Sequence, residues 1–237
     1  MGSFLNVCIW RLPRRQSVMA PRSYCPSCGR QLAWWELVPV VSYLVLGGRC
    51  RTCRRPISLQ YPLVETATGV LYVLSVYFWG PGLHAVRTAV FGSLLIVAGV
   101  IDARHRIIPD VVTLPGFGVG LLLSALDPSV GLWSSLAGAA LGGGLLLAVA
   151  VVSAGGMGGG DIKLAAMMGA FLGWAGLIVG LLAALVSGAL VGGALVLAGV
   201  KGRKDLMAFG PFLAAGGLLA ALYGPLVTTW YLGTFWG

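Results

Sequence analysis

Two aspartates stand at the edges of apolar segments, where a charged side chain needs a physical reason. Asp102 ends a long apolar run, and Asp161 closes a glycine-rich stretch that begins at Gly155. A carboxylate at the boundary of a membrane is costly and is usually functional. The chain has only 7 acidic residues, so two of them at such junctions predict one site built from paired carboxylates.

Paired carboxyls suit the hydrolysis of a peptide bond. One carboxylate acts as the base for water, and the other, as a carboxylic acid, polarises the carbonyl. Two close carboxyls share a proton because both cannot readily ionise together. Gly158 and Gly160 precede Asp161 and would let a substrate backbone approach closely. The opposing interpretation is that each aspartate caps a helix or pairs with a nearby Arg or Lys.

Asp110 competes with Asp102 for the same role. It stands at the start of the next apolar run, a position that favours a helix N-cap. Asp127 is interpreted as an ordinary loop charge. His84 and His105 are too isolated to suggest metal ligands.

Four of the five cysteines form two Cys-x-x-Cys pairs, Cys25 with Cys28 and Cys50 with Cys53. The spacing between the pairs is close to that of four-cysteine zinc sites. Zinc would fold a segment that is too small for its own core. Four thiolates leave no open coordination position, so the zinc would be structural. The alternative is a pair of reduced or redox-active motifs. Cys8 stands apart as a packed thiol.

The composition places these residues in a polytopic membrane protein. The chain is 58% hydrophobic and 10% charged, whereas soluble domains contain about 25% charged residues. The 37 glycines fit close helix packing through small residues in lipid. The net charge of +9 comes from clusters in short loops, which is typical of topology signals rather than of nucleic-acid binding.

Residues 1–62 are polar and basic, and we interpret them as one small domain. Apolar runs follow at about 63–79, 83–101, 111–126, 132–153, 164–200 and 209–235. If the basic domain is cytoplasmic, and if Lys201, Arg203 and Lys204 also lie inside, then 15 of the 16 Lys and Arg residues are cytoplasmic. Only Arg87 lies outside. This bias is strong support for the orientation.

The same topology makes two further predictions. The run from 164 to 200 must cross the membrane twice, with a break near Gly180. Asp102 and Asp161 must lie on the same cytoplasmic side, near the membrane surface.

Several further short motifs occur along the chain. They are Gly2-Ser3-Phe4-Leu5-Asn6-Val7, Arg11-Leu12-Pro13, Tyr61-Pro62-Leu63-Val64-Glu65, the segment from Asp102 to Asp110, Gly158-Gly159-Gly160-Asp161 with Lys163-Leu164, and Phe209-Gly210-Pro211-Phe212. With the two Cys-x-x-Cys pairs, this series resembles the type IV prepilin peptidases, which are bacterial leader peptidases and N-methyltransferases. The resemblance covers nearly the whole chain.

The resemblance implies an all-α polytopic membrane protein with about seven transmembrane helices and a small N-terminal cytoplasmic zinc-ribbon-like domain. Residues 63–237 would form a transmembrane aspartic peptidase domain of the GxGD type. Met1 directly precedes Gly2, so most of the first transmembrane helix of the family is expected to be missing.

The resemblance also implies the site residues. Asp102 and Asp161 would be the catalytic pair, with Gly158 and Gly160 completing the GxGD motif. The four paired cysteines would hold a structural Zn²⁺. Glu65, together with the cysteine domain, would mark the methyltransferase or substrate-binding region.

The implied reaction has two steps at the cytoplasmic face of the bacterial inner membrane. The family cleaves the short basic leader of a prepilin or pseudopilin after a glycine. Bifunctional members then methylate the new N-terminal amine with S-adenosylmethionine. The partners would be these substrates and membrane lipid, without nucleic acid.

Three alternatives stay open. A non-enzymatic, zinc-stabilised membrane scaffold of pilus or secretion machinery predicts that the cysteines matter and the aspartates do not. An ion or proton transporter needs carboxylates at depth, whereas these are expected near one surface. A methyltransferase without peptidase activity would also tolerate replacement of the aspartates.

Overall fold

The computed structural model describes residues 1–153, 157–200, 202 and 207–235, and its regular elements there are helices. The helices are α1 (Gly2–Arg11), α2 (Val41–Val45), α3 (Gln60–Trp79), α4 (Leu83–His105), α5 (Asp110–Leu126), α6 (Leu132–Val152), α7 (Gly159–Leu197) and α8 (Gly210–Phe235). In the described part of the chain the only β-type pairings are two isolated bridges, Tyr24 with Gln31 and Arg49 with Pro56. The predicted all-α fold is confirmed.

Four helices in the described residues, α3, α4, α6 and α7, are long and apolar enough to cross a membrane. Two shorter apolar helical segments are α5 (Asp110–Leu126) and the first part of α8, Gly210–Gly224. Helices suit the lipid interior of a membrane because each helix satisfies its own backbone hydrogen bonds. The count of about seven spans stays a prediction, and Lys201, Arg203 and Lys204 lie outside the described residues.

Helix α7 contains a break in its helical backbone, and the double crossing of this run stays a prediction. Its 39 residues would extend about 58 Å as one straight helix, far more than the roughly 30 Å of bilayer hydrocarbon. The backbone leaves the helical conformation at Gly173, with φ 70° and ψ 178°. Only glycine adopts this conformation without strain. The predicted position near Gly180 is therefore wrong by seven residues. At the observed position, Gly173 closely approaches Ser134 of α6.

Glycines also set how closely the helices pack. A Cβ at Gly169 of α7 would collide with the backbone of Gly138 of α6, and one at Gly216 of α8 would collide with the carbonyl of Gly180 of α7. Small residues let helix backbones meet directly where lipid provides no hydrophobic drive for association. Helix α7 is thereby packed between α6 and α8.

Helix α4 is the innermost of the long helices. Its most apolar stretch is 56% buried, whereas those of α6 and α7 are 28% and 22% buried. Phe91 of α4 stacks on Phe171 of α7 with ring centroids 4.8 Å apart. Leu95 and Ile101 are fully buried on the same helix. The helix that ends near Asp102 is therefore fixed on several sides.

The chain divides into two compact units, Met1–Val73 and Leu74–Gly237, and the division falls inside α3. The four paired cysteines and Glu65 belong to the first unit. Asp102 and Asp161 belong to the second. The predicted domain boundary between residues 62 and 63 stays a prediction.

Candidate functional site

Asp102 lies in the last turn of α4 and is buried. Its Oδ2 accepts a hydrogen bond of 3.0 Å from the backbone N–H of Gly210, the first residue of α8. The N-terminus of a helix offers unpaired N–H groups and a partial positive charge, both of which favour a carboxylate. Helix α4 ends just beyond, at Arg106, whose left-handed backbone lets its N–H bond the carbonyl of Asp102 at 2.8 Å.

The contact with Asp102 leaves no room for a side chain at Gly210. A Cβ there would lie 2.6 Å from Oδ2 of Asp102 and 2.9 Å from its Cγ. One turn earlier on α4, Gly99 packs against Ala214 of α8, and a Cβ added at Gly99 would lie 2.8 Å from the Cβ of Ala214. The two glycines bring α4 and α8 together and hold the Asp102 carboxylate against the start of α8.

Replacing Gly210 with alanine is expected to reduce the turnover of the site, because the added methyl displaces the Asp102 carboxylate. A misplacement of about 1 Å costs roughly 10²-fold in rate. The matched control is Gly224→Ala on the same helix, where a Cβ meets no described atom within 4 Å. Steady-state kinetics on a purified precursor protein would measure both variants. Equal rates for the two would contradict a catalytic role for the Asp102 position.

Asp161 lies in the first turn of α7, and its side chain is buried. Its backbone N–H bonds the carbonyl of Gly158 at 3.1 Å. Its Oδ1 is buried and has no hydrogen-bond partner among the described residues. Asp102 is close enough for the two carboxyl charges to interact. The structure therefore brings both predicted aspartates near each other, and it leaves one buried carboxylate oxygen without a partner among the described residues.

The two glycines of the predicted GxGD motif have separate reasons to lack a side chain. A Cβ at Gly158 would lie 3.3 Å from Oδ2 of Asp161, and one at Gly160 would lie 2.9 Å from Cβ of Ile108. Gly158 leaves room beside the carboxylate. Gly160 lets the segment that follows α4 lie directly on the start of α7.

An ion pair holds the same two segments together. Nζ of Lys163 lies 2.7 Å and 2.8 Å from the two carboxylate oxygens of Asp110. Both side chains are exposed, so the pair contributes only about 0–1 kcal/mol to stability. The ion pair connects the start of α5 to α7 at Lys163, two residues after Asp161.

The N-cap interpretation of Asp110 is wrong. Pro109 occupies the N-cap position of α5, and no side chain caps the helix. Asp110 is the first helical residue, and its carboxylate turns to Lys163 instead of to its own backbone. A lysine on another helix outcompetes the local cap, and this lysine is 53 residues away in sequence.

The interpretation of Asp127 as an ordinary loop charge is also wrong. Its Oδ2 lies 3.1 Å from Nη1 of Arg87 and 3.2 Å from Nδ1 of His84. Asp127 and Arg87 are both buried. The cluster joins the start of α4 to the loop after α5. Arg87 offered a signal in the sequence, because it was the one cation that the topology placed outside.

The four paired cysteines meet in the first unit. Their sulfur atoms all lie within 4.8 Å of one another, and Sγ of Cys25 and Sγ of Cys53 are 3.9 Å apart. A tetrahedral zinc site with Zn–S bonds of about 2.3 Å requires sulfurs about 3.8 Å apart. The arrangement fits a metal ion held by four thiolates.

The backbone builds the two halves of this site in the same way. Cys25 N–H bonds the carbonyl of Arg30, and Cys50 N–H bonds that of Arg55, both at 2.9 Å. Gly29 and Arg54 take the left-handed conformation that each tight turn needs. The backbone N–H groups of Cys53 and Thr52 lower the pKa of the Cys50 thiol to about 6, whereas burial and the neighbouring cysteine sulfurs raise the pKa of Cys53 to about 11.

Glu65 joins three segments of the first unit. Oε1 accepts a 2.6 Å hydrogen bond from the hydroxyl of Ser3, and Oε2 accepts a 2.8 Å bond from the backbone N–H of Val40. A Cβ at Gly2 would lie 2.8 Å from the Cα of Glu65. The Glu65 carboxylate thus ties α1 and the start of α2 to α3.

Comparisons with known proteins cover both parts of the chain. Residues 1–79 match the model of the bacterial peptidase A24 N-terminal domain, and residues 89–193 match that of the type IV leader peptidase family. A "Prepilin leader peptidase/N-methyltransferase" of Bacillus subtilis is 37% identical over 235 residues, covering 98% of this chain and 94% of the relative. Proteins with the same name from Aeromonas hydrophila and Myxococcus xanthus are 36% and 41% identical, covering 99% and 84% of this chain and 91% and 61% of the relatives. No solved structure matches the chain.

Proposed function

Because the chain belongs to the type IV leader peptidase family, we propose that it cleaves the leader of prepilins or pseudopilins and methylates the new N-terminus. One observation carries the proposal. Two buried aspartates from α4 and α7 interact with each other, and one of their oxygens, Oδ1 of Asp161, is unpartnered among the described residues.

In the proposed cleavage, Asp102 and Asp161 share one proton. The ionised member takes a proton from water while the water oxygen attacks the carbonyl carbon after the leader glycine. The protonated member hydrogen-bonds the carbonyl oxygen. The C–N bond then breaks, and the leaving amine takes a proton from the pair. Because the two groups titrate together, the roles of acid and base belong to the pair rather than to either residue.

The two carboxyl groups differ in the hydrogen bonds that they accept, and this difference suits them to different parts of the reaction. Gly210 N–H fixes Asp102 at one oxygen. Oδ1 of Asp161 has no hydrogen-bond partner among the described residues, so it is available to water or, when protonated, to the substrate carbonyl. The Ile108 and Asp110 contacts hold the start of α7 in place. Prior orientation of this kind supplies much of the rate of an enzymatic reaction.

In the proposed second step, the amine released by cleavage is methylated. Bound S-adenosylmethionine supplies a methyl group, which forms a bond to nitrogen as its bond to sulfur breaks, with the electron pair staying on sulfur and a proton leaving the nitrogen. The amine must be neutral to react. An N-terminal α-amino group has a pKa of about 7.7–8.0, so a useful fraction is neutral near pH 7.

The proposed location is the cytoplasmic face of the bacterial inner membrane. The chain is a multi-pass membrane protein by the length and composition of its helices. The cytoplasmic orientation is supported by the distribution of Lys and Arg. The four-cysteine site is proposed to hold a structural Zn²⁺.

Mass spectrometry of a prepilin incubated with the purified protein and S-adenosylmethionine tests the proposal. We expect loss of the leader and a mass increase of one methyl group on the product. An intact precursor after incubation with folded, zinc-loaded protein would overturn the peptidase. A cut but unmethylated product would overturn the methyltransferase alone. The scaffold alternative predicts no change in the precursor and gains no support from the pairing of Asp102 with Asp161.

A further inference from the structure

We propose that a cavity in the second unit binds the phosphate group of a membrane phospholipid, at the end of α4 that is farthest from Asp102. The cavity measures about 460 Å³, and small-molecule sites are typically about 300–1,000 Å³. Residues of α3, α4, α6, α7, α8 and the loop after α5 line it, and all of them belong to Leu74–Gly237. Neither Asp102 nor Asp161 lines it, so the cavity is separate from the proposed peptidase site.

The position of the cavity along α4 places it at the level of lipid headgroups. Helix α4 has 23 residues, so it extends about 34 Å, slightly more than the roughly 30 Å of bilayer hydrocarbon. Its two ends therefore reach the two headgroup layers. His84 and Arg87 line the cavity from the first two turns, whereas Asp102 lies in the last turn. The phosphates of one leaflet are thus within reach of the cavity.

Two side chains of the wall have a buried hydrogen-bond donor that the described residues leave without a partner. They are Nε1 of Trp79 and Nη1 of Arg87. Indole and guanidinium nitrogens donate hydrogen bonds and cannot accept them. A buried donor without an acceptor is destabilising. We therefore expect a ligand that offers acceptor oxygens to both nitrogens.

The charge of Arg87 is balanced by a carboxylate outside the cavity wall. Nη1 of Arg87 lies 3.1 Å from Oδ2 of Asp127, but this ion pair does not have the geometry of a hydrogen bond. Arg87 lines the cavity and is 5% exposed, whereas Asp127 does not line it. The pair makes the burial of the guanidinium tolerable. A site whose own charges cancel suits a phosphodiester, while free inorganic phosphate carries more charge and would need further cations.

The ring of His84 holds both donors in place. It lies against the ring of Trp79 with centroids 4.2 Å apart, and its Nε2 lies 3.2 Å from Nη2 of Arg87. Its Nδ1 lies 2.9 Å from Oγ of Ser129, in the loop after α5. Side chains that are already oriented lose little freedom when a ligand binds. The donors therefore form a built site rather than a chance contact.

Other parts of the wall are apolar and suit the glycerol and first methylene groups of a lipid. Phe91 and Phe171 line the cavity and are almost fully buried. The break of α7 lies beside it, because Gly173 closely approaches Val130 and Ser134, which also line the cavity. Irregular backbone at membrane depth is tolerated where it is buried in protein or lines a polar cavity. Polar donors together with apolar side chains fit an amphipathic ligand better than a free ion.

Native mass spectrometry of the full-length protein, stripped of lipid in detergent, tests the proposal. The probes are dioleoyl phosphatidylglycerol, dioleoyl phosphatidylethanolamine, dioleoylglycerol, which lacks the phosphate, and inorganic phosphate alone. We expect the two phospholipids to form one-to-one complexes with similar Kd, because the site has no surplus charge. Dioleoylglycerol is expected to bind about tenfold more weakly or worse, because it offers no ionised acceptor. Inorganic phosphate at the same concentration should neither bind nor displace the lipid.

Trp79→Phe removes the indole N–H and keeps an aromatic ring, so it is expected to raise Kd for both phospholipids about tenfold. The matched control is Trp133→Phe, because Trp133 is 83% exposed and does not line the cavity. Ala175→Phe fills the cavity and is expected to abolish binding. Its control on the same helix is Ile178→Phe, at a residue that does not line the cavity. Phospholipid should raise the unfolding temperature of both controls but not of Ala175→Phe.

Equal Kd in Trp79→Phe and Trp133→Phe would overturn the site. Equal binding of dioleoylglycerol would overturn the recognition of phosphate, and displacement of the phospholipid by inorganic phosphate would overturn a lipid as its source. If Ala175→Phe fails to fold, the Trp79→Phe comparison decides, because Nε1 of Trp79 has no hydrogen bond to lose among the described residues. None of these measurements depends on cleavage or methylation of a precursor.

Discussion

Asp161→Asn is expected to abolish leader cleavage, with kcat lowered roughly 10³-fold or more. The amide has the shape of the carboxyl group but can neither take a proton from water nor share one with Asp102. Asp102→Asn is expected to have an equal effect, although its remaining oxygen can still accept the Gly210 hydrogen bond. Mass spectrometry of a precursor over a time course would measure both variants against the unsubstituted protein.

Two controls separate catalysis from folding in these variants. Each replaces one carboxyl group of a buried, interacting pair with a neutral amide of the same shape, so thermal stability should stay equal or rise. Methylation of a peptide that already has a free N-terminus should persist, because the cysteine site and Glu65 lie in the other unit. Cleavage retained by either variant would refute the proposed pair, and loss of cleavage with unfolding would show only a structural role.

Cys50→Ser is expected to release the metal and unfold the first unit. In Met1–Val73 few apolar side chains are buried, among them Leu5, Ile9 and Val64, and so small a core leaves a domain marginally stable without an added staple such as a bound ion. Structural zinc contributes about 10–16 kcal/mol of apparent binding free energy in small zinc domains. Metal analysis and limited proteolysis of residues 1–62 would measure the loss.

Cys8→Ser is the matched control for this prediction. Cys8 is a thiol of the same unit that lies outside the four-cysteine cluster. We expect full zinc content, protease resistance and methylation with Cys8→Ser, and loss of all three with Cys50→Ser. A metal-free Cys50→Ser protein that resists proteolysis like the control would favour the redox interpretation of the Cys-x-x-Cys pairs.

The predictions that succeeded from sequence share a local cause. The helices follow from long apolar stretches, because lipid forces a backbone to satisfy its own hydrogen bonds. The sulfur geometry at Cys25, Cys28, Cys50 and Cys53 follows from two tight turns whose ligands stand at fixed spacing. The catalytic roles of Asp102 and Asp161 stay predictions until the variants are measured.

The predictions that failed concern partners that are distant in sequence. Asp110 was assigned to its own helix but pairs with Lys163, and Asp127 was assigned to its loop but pairs with Arg87. Gly210, 108 residues from Asp102, holds that carboxylate. None of these contacts has a local pattern, so composition and periodicity could not reveal them.

The sequence by itself determined the class of the molecule, its apolar helices, the four cysteines that could hold a metal ion and the pair of carboxylates proposed for catalysis. These features depend on residue type and short spacing alone. The tertiary structure decided where α7 breaks, which groups support each carboxylate, and that Trp79 and Arg87 line one cavity in the second unit. Helices in lipid associate through the close fit of small residues rather than through an apolar stripe. That fit depends on the shapes of two surfaces at once, and it exists only after the helices have packed.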